Sequence, residues 1–277
     1  MTTLSTSPAQ LDWVDLGATG RIAVLSLNRP EVANAFNEQM IADLTAKLAE
    51  AAKTAGIRAL VLRGRGKHFS GGADLAWMRA SATLTVEANR LDAERLIDLF
   101  EAVVKFPLPT LAVVQGSAFG GAVGLTAACD VAIAESTARF ALSEVKLGIA
   151  PAVIWPYLTR RIGPGALTRL ALTGRMFEAD EAERIGLVQR VAPAGKLDAA
   201  VREELNGLLA GSPEAQTALK RLAARVASDA NRQGPHTAAT IAELRAGASG
   251  QAGLRAFFAK ETSPWAATVP EDMTLSH

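Results

Sequence analysis

Phe69-Ser-Gly-Gly-Ala-Asp-Leu75 and Gly116-Ser-Ala-Phe-Gly-Gly-Ala-Val-Gly-Leu125 are two glycine-rich turns on one chain. Each follows an apolar run of strand character, Arg58-Ala-Leu-Val-Leu62 before the first and Thr110-Leu-Ala-Val-Val114 before the second. Each leads into a predicted helix. Gly71, Gly72, Gly120 and Gly121 permit positive φ or close backbone approach. Two such turns can aim two main-chain N–H groups, those of Ala73 and Gly121, at one point, which is the geometry that holds a negative oxygen. Gly121 would also begin a helix, where the dipole favours an anion. Neither turn continues into Gly-Lys-Ser/Thr, which excludes a P-loop. No Gly-x-Gly-x-x-Gly follows the first strand, which argues against a dinucleotide site.

The flanking sequence keeps the same rhythm. Arg21-Ile-Ala-Val-Leu-Ser-Leu27 reads as a strand ended by Asn28-Arg29-Pro30. Asn37 caps a helix in which Ile41, Leu44, Leu48 and Ala52 recur, and Gly56 closes it. A long helix is expected over 85–106, with Leu91, Leu96, Leu99, Phe100 and Val103 on its apolar side, and a short apolar helix over 121–129. Asp130-Val-Ala-Ile-Ala134 and Arg139-Phe-Ala-Leu142 read as strands. Strands alternating with helices predict an α/β fold, since parallel neighbours need crossovers. Past Ala192-Pro-Ala-Gly195 the pattern is helical, over 198–209, 213–227, 237–244 and 254–260. The chain is therefore divided into 1–195 and 196–277, with a loose tail expected after Pro264.

Of the 277 residues 49% are hydrophobic, yet no apolar run approaches the roughly 18–20 residues of a membrane span. The net charge of +1 gives no pull toward nucleic acid or a membrane surface. Arg63, Arg65 and Lys67 form either a solvated surface or a patch for ligand phosphates. Cys129 is the only cysteine, which excludes an intrachain disulfide and fits a reducing compartment. The first residues lack the regions of a secretory signal, and Asp12 and Asp15 precede the first basic residue, Arg21. A cytoplasmic location is expected.

Glu144 stands in the mostly apolar stretch Ala141-Leu-Ser-Glu-Val-Lys-Leu-Gly-Ile-Ala-Pro151. A carboxyl there would have a raised pKa and could move protons near neutrality; the alternative is a surface glutamate paired with Lys146. Asp74 either belongs to the anion site or caps the next helix, and capping is favoured. His68, His236 and His277 are too scattered for a metal cluster, and no metal is expected. Ser70 lacks the context of a nucleophile elbow. Cys129 reads as core. Trp77 and Met78 either line an acyl pocket or pack in the core.

With these motifs assembled, the chain resembles the crotonase superfamily, the enoyl-CoA hydratase/isomerase family. The resemblance runs through Leu27-Asn-Arg-Pro30, Asn34-Ala-Phe36, both glycine turns, Ser143 to Pro151, Leu172-Thr-Gly174 and, more weakly, Gly253-Leu-Arg-Ala-Phe257. It implies a crotonase-like ββα spiral core, a C-terminal helical oligomerisation region, and a homotrimer or homohexamer. The implied substrate is an acyl-CoA thioester, with coenzyme A part of the substrate and no separate cofactor. Ala73 and Gly121 resemble the oxyanion donors and Glu144 the catalytic acid/base. Ala33, Gly72, Asp74, Leu75, Ala76, Gly120, Gly124, Phe257 and Lys260 are expected to bind substrate.

One departure stands out. The best-known hydratases of the family carry two glutamates, and the position of the first is Gly124 here. A single glutamate is similar to the double-bond isomerases. The wording of Ala73 to Met78, Asn89 to Ala93, Gly120 to Leu125 and Ile149 to Ile154 instead resembles bacterial hydratases of branched glutaconyl-CoA thioesters, such as 3-methylglutaconyl-CoA in leucine breakdown. Hydration is the expected reaction; isomerisation, or a binding protein without activity, are the rivals. Asp92 is a candidate for orienting water, and Lys146 and Arg79 for meeting a substrate carboxylate.

Overall fold

The computed structural model describes residues 7–17, 20–228 and 234–261. The tail after Pro264 and His277 lie outside them, as does the His236 side chain. The main sheet has the order β1-β2-β3-β4-β6-β9, built from β1 (Ala9–Asp15), β2 (Arg21–Leu27), β3 (Ile57–Gly64), β4 (Thr110–Val114), β6 (Val131–Glu135) and β9 (Arg190–Ala192). Only the β1–β2 pair is antiparallel. A smaller sheet joins β5 (Ser117–Phe119), β7 (Arg139–Ala141) and β8 (Met176–Glu178).

The helices are α1 (Glu38–Lys53), α2 (Leu75–Ser81), α3 (Val86–Val104), α4 (Gly121–Ala128), α5 (Trp155–Thr173), α6 (Ala179–Arg184), α7 (Leu197–Leu209), α8 (Pro213–Ser228), α9 (Gly234–Ala246) and α10 (Ala248–Ala259). The runs β4-β5-α4 and β6-β7-α5 are successive strand-strand-helix turns, so the ββα repeat expected from the resemblance is present. Asn37 caps α1 through Met40 N at 2.9 Å, as the sequence predicts.

The parallel strands are buried on both faces, which is why they read as continuous apolar runs. Leu60 and Leu62 of β3 join the large core with α1, α3, α4 and α5, while Ala59 and Val61 meet Ala200, Leu197 and Val201 of α7. α9 packs on α3, and α10 packs on the turn that carries Glu144. α9 and α10 therefore fold back over the half of the core that bears the glycine turns, while α7 covers the other face of the main sheet.

Some expectations shift. Leu91 faces solvent, 45% exposed, because it lies off the Leu96, Leu99, Phe100 and Val103 stripe of α3. The third and fourth C-terminal helices begin earlier than periodicity suggests, at Gly234 and Ala248. β1, β5, α5, β8, α6 and β9 are additions to the elements expected from the sequence. β1 is an edge strand with polar Gln10 and Asp12, and α5 is broken at Gly163 (φ +73), next to Pro164.

Candidate active site

The first glycine turn is fixed from two sides. Phe36 N donates to Gly72 O (2.7 Å) and Asp74 N to Phe36 O (2.8 Å). In an extended strand successive groups point to opposite sides, so the Ala73 N–H between them faces away from Phe36. Asp74 accepts from Ala76 N (2.8 Å) and Trp77 N (3.2 Å), capping α2, and pairs with Arg29 at 2.9 Å. Burial alone would raise the Asp74 carboxyl, but these amides and the guanidinium together hold it below its usual value. The favoured capping reading is correct.

The second turn lies beside the first. Ser70 N donates to Ser117 O (2.9 Å) and Phe119 N to Ser70 O (3.1 Å), a parallel bridge that pairs Ser70 with Ala118. Three residues further on each chain stand Ala73 and Gly121. Gly72 has φ +91, and a Cβ there would lie 2.9 Å from Phe119 O, so only glycine lets the turns close to this distance. Gly121 is the first residue of α4, whose opening N–H groups have no intrahelical acceptor. Among the described residues neither the Ala73 nor the Gly121 N–H donates a hydrogen bond.

Glu144 opens a 3-10 turn, Glu144–Leu147. Its Oε2 is closed off from solvent and has no hydrogen-bond partner among the described residues. Burial pushes the carboxyl up to about 7, against a smaller downward pull from its own backbone N–H. The surface-glutamate alternative fails: this carboxyl lines the same cavity, of about 370 Å³, as Gly72, Ala73, Gly120 and Gly121. The volume is that of a small-molecule site.

Of the other expected residues, Leu75 and Phe257 line the cavity, as do Trp77 and Met78. Ala33, Asp74, Ala76, Gly124 and Lys260 do not. Ala33 sits behind Gly71 and accepts its N–H, and Lys260 is the exposed left-handed cap of α10. Gly124 is buried inside α4, where a Cβ would stand 2.2 Å from Ile154 Cγ2. The space a second glutamate would need holds Ile154 instead. Asp92 pairs with Arg95 at 2.8 Å and Arg79 lies 4.5 Å over the Phe258 ring, and neither lines the cavity. Lys146 does line it. Among the described residues no group of three or more His, Cys, Asp or Glu could hold a metal ion.

Two features lie outside the sequence-based expectations. Asn34, buried and left-handed (φ +54), donates to Arg65 O and His68 O and accepts from Arg29 N, each at 2.8 Å. It anchors the segment leading into the first glycine turn; its place in Asn34-Ala-Phe36 is the signal that could have marked it. Arg245 of α9 also lines the cavity, and nothing local in the sequence marks it.

The model of the family described as Enoyl-CoA hydratase/isomerase matches residues 17–268. An enoyl-CoA hydratase of Alternaria alternata is 34% identical over 248 residues, covering 87% of this chain and 80% of its own length. A short-chain-enoyl-CoA hydratase of Clostridium acetobutylicum is 33% identical over 208 residues, 74% of this chain and 78% of that one. The crystal structure of an enoyl-CoA hydratase from Mycobacterium avium aligns over 92% of this chain and 98% of its own, with a TM-score of 0.81 at 32% identity.

Proposed function

The chain belongs to the enoyl-CoA hydratase/isomerase family, and on that premise we propose that it is a hydro-lyase adding water across the double bond of a 2-enoyl-CoA. One observation carries the reading: the buried, unpartnered carboxyl of Glu144 shares a cavity with the undonated N–H groups of Ala73 and Gly121. The thioester oxygen accepts from both amides. The Glu144 carboxylate takes a proton from water as the water oxygen bonds to the β-carbon. The double-bond electrons move to the thioester oxygen as an enolate. When they return, the α-carbon takes the proton from Glu144, and the carboxylate is restored. Donors aimed at that oxygen strengthen as its charge grows, and one such donor contributes about 3–4 kcal/mol.

One carboxyl suffices because the proton it removes is the proton it delivers. The Ile154 side chain beside Gly124 also favours a second reading, a double-bond isomerase that moves one proton between carbons through the same enolate. Crotonyl-CoA and a 3-enoyl-CoA offered in parallel test the choice by liquid chromatography coupled to mass spectrometry, which separates double-bond isomers of equal mass. Gain of one water on crotonyl-CoA supports hydration; conversion of the 3-enoyl thioester without any mass change on either substrate supports the isomerase. For the acyl chain, we take a branched 2-enoyl thioester such as 3-methylglutaconyl-CoA. The supports are the sequence wording of Ala73 to Met78 and Ile149 to Ile154 and the apolar walls these segments supply.

A further inference from the structure

Arg245 lines the cavity together with Trp77, Ser81, Ile241 and Leu254. Its guanidinium carbon lies 5.6 Å from the Trp77 ring centroid, a cation–π placement that aims it. Its Nη1 is closed off from solvent and has no hydrogen-bond partner among the described residues. Burial pulls its pKa down, opposed by the charge of Asp92, and that carboxylate is itself engaged by Arg95 at 2.8 Å. A buried guanidinium donor without an acceptor is costly, and the cost is removed when a ligand brings an anion to it.

Given the acyl-CoA reading above, on which this inference rests, we propose that Arg245 receives a carboxylate borne on the acyl chain. The preferred substrates are then 2-enoyl-CoA thioesters of dicarboxylic acids rather than simple alkenoyl thioesters. The diphosphate of coenzyme A is a poorer partner, because it is bulkier and more highly charged than a single carboxylate and the cavity around Arg245 is walled by Trp77, Ile241 and Leu254. The guanidinium fork suits a planar carboxylate.

The test is binding of two saturated thioesters, glutaryl-CoA and butyryl-CoA, to the full chain by calorimetry, which does not depend on turnover. The wild type is expected to favour glutaryl-CoA by about 10- to 100-fold, the range of a charge-assisted hydrogen bond. Arg245→Met should abolish the preference by weakening glutaryl-CoA far more than butyryl-CoA, and Arg245→Lys should retain part of it. Equal affinities in the wild type overturn the proposal, as does an unchanged ratio in Arg245→Met. Equal weakening of both thioesters would assign Arg245 to the coenzyme and also overturn it. If Arg245→Met does not fold, the wild-type ratio and Arg245→Lys decide the matter. Crotonyl-CoA hydration by the wild type reports separately on the reaction, so a hydratase without the preference loses this inference alone.

Discussion

A Cβ on Gly120 would stand 3.1 Å from Glu144 Oε1. The second glycine turn and the carboxyl are thus in close packing, and Gly120 holds φ +53 and ψ −118, which residues with a Cβ rarely adopt. Gly120→Ala should displace the carboxyl and strain the start of α4. We expect kcat/KM for hydration to fall about 100-fold, since small misplacements of a catalytic group cost that much. Steady-state kinetics on crotonyl-CoA checks it; near-normal kinetics would mean the contact does not position Glu144.

The proposed role of Glu144 makes activity depend on pH. In the proposed hydration the reaction starts from the carboxylate, and the group is held at about 7 by burial. The kcat/KM of the free enzyme should therefore rise with pH through about 7 and fall tenfold per unit well below it. Glu144→Gln should lower kcat by about 10²–10⁴-fold and flatten that limb.

The same burial affects stability with the opposite sense. A carboxyl raised in the folded state gives stability that is full below its unfolded pKa and lost as pH rises through the folded one. From 4.5 unfolded to about 7 folded, the wild type should lose about 3 kcal/mol relative to Glu144→Gln across that window. Denaturant melts of both proteins at pH 5 and pH 8 measure the difference. Parallel pH profiles would place Glu144 in solvent.

Gly124→Ala pits two effects against each other. Alanine in a helix is worth about 1 kcal/mol over glycine. Here the new methyl would meet Ile154 Cγ2 at 2.2 Å and Cβ at 2.7 Å in a buried site, and overpacking costs about 1–3 kcal/mol. The variant should be destabilised on balance, and the same substitution should cost less in an Ile154→Ala background, where Cγ2 is gone. A more stable Gly124→Ala protein would show that Ile154 yields freely.

Asn34→Ala removes two donated bonds and one accepted bond from a buried site and places alanine at φ +54. Leaving the Arg65, His68 and Arg29 groups unpaired should cost about 3 kcal/mol or more. A Tm within a degree of the wild type would show that water replaces the amide.

Most of the strand-helix alternation is legible because buried parallel strands such as Leu111 to Val114 are apolar on both faces, and caps such as Asn37 and Asp74 follow local rules. β1 is not, because an edge strand carrying Gln10 and Asp12 shows no continuous apolar run. Leu91 misleads because helical spacing alone does not say how wide the covered stripe of α3 is. At the site, the two glycine turns and Glu144 can be read as a set because backbone freedom and an isolated acid leave local marks. Arg245 cannot: its place in the cavity depends on α9 returning to α2, where it meets Trp77, a contact between distant parts of the chain. Ile154 in the space beside Gly124 is hidden for the same reason.

Everything turns on whether the Ala73 and Gly121 amides hold one thioester carbonyl. Infrared difference spectra of ¹³C-carbonyl-labelled crotonyl-CoA bound to Glu144→Gln report on this without turnover. The account predicts a carbonyl band moved to lower frequency than in water, and a band returned most of the way in Glu144→Gln/Gly121→Pro, where proline at the first position of α4 deletes one donor and is compatible with the helix start. A bound carbonyl band at its aqueous position, or one that Gly121→Pro leaves unmoved, would contradict it.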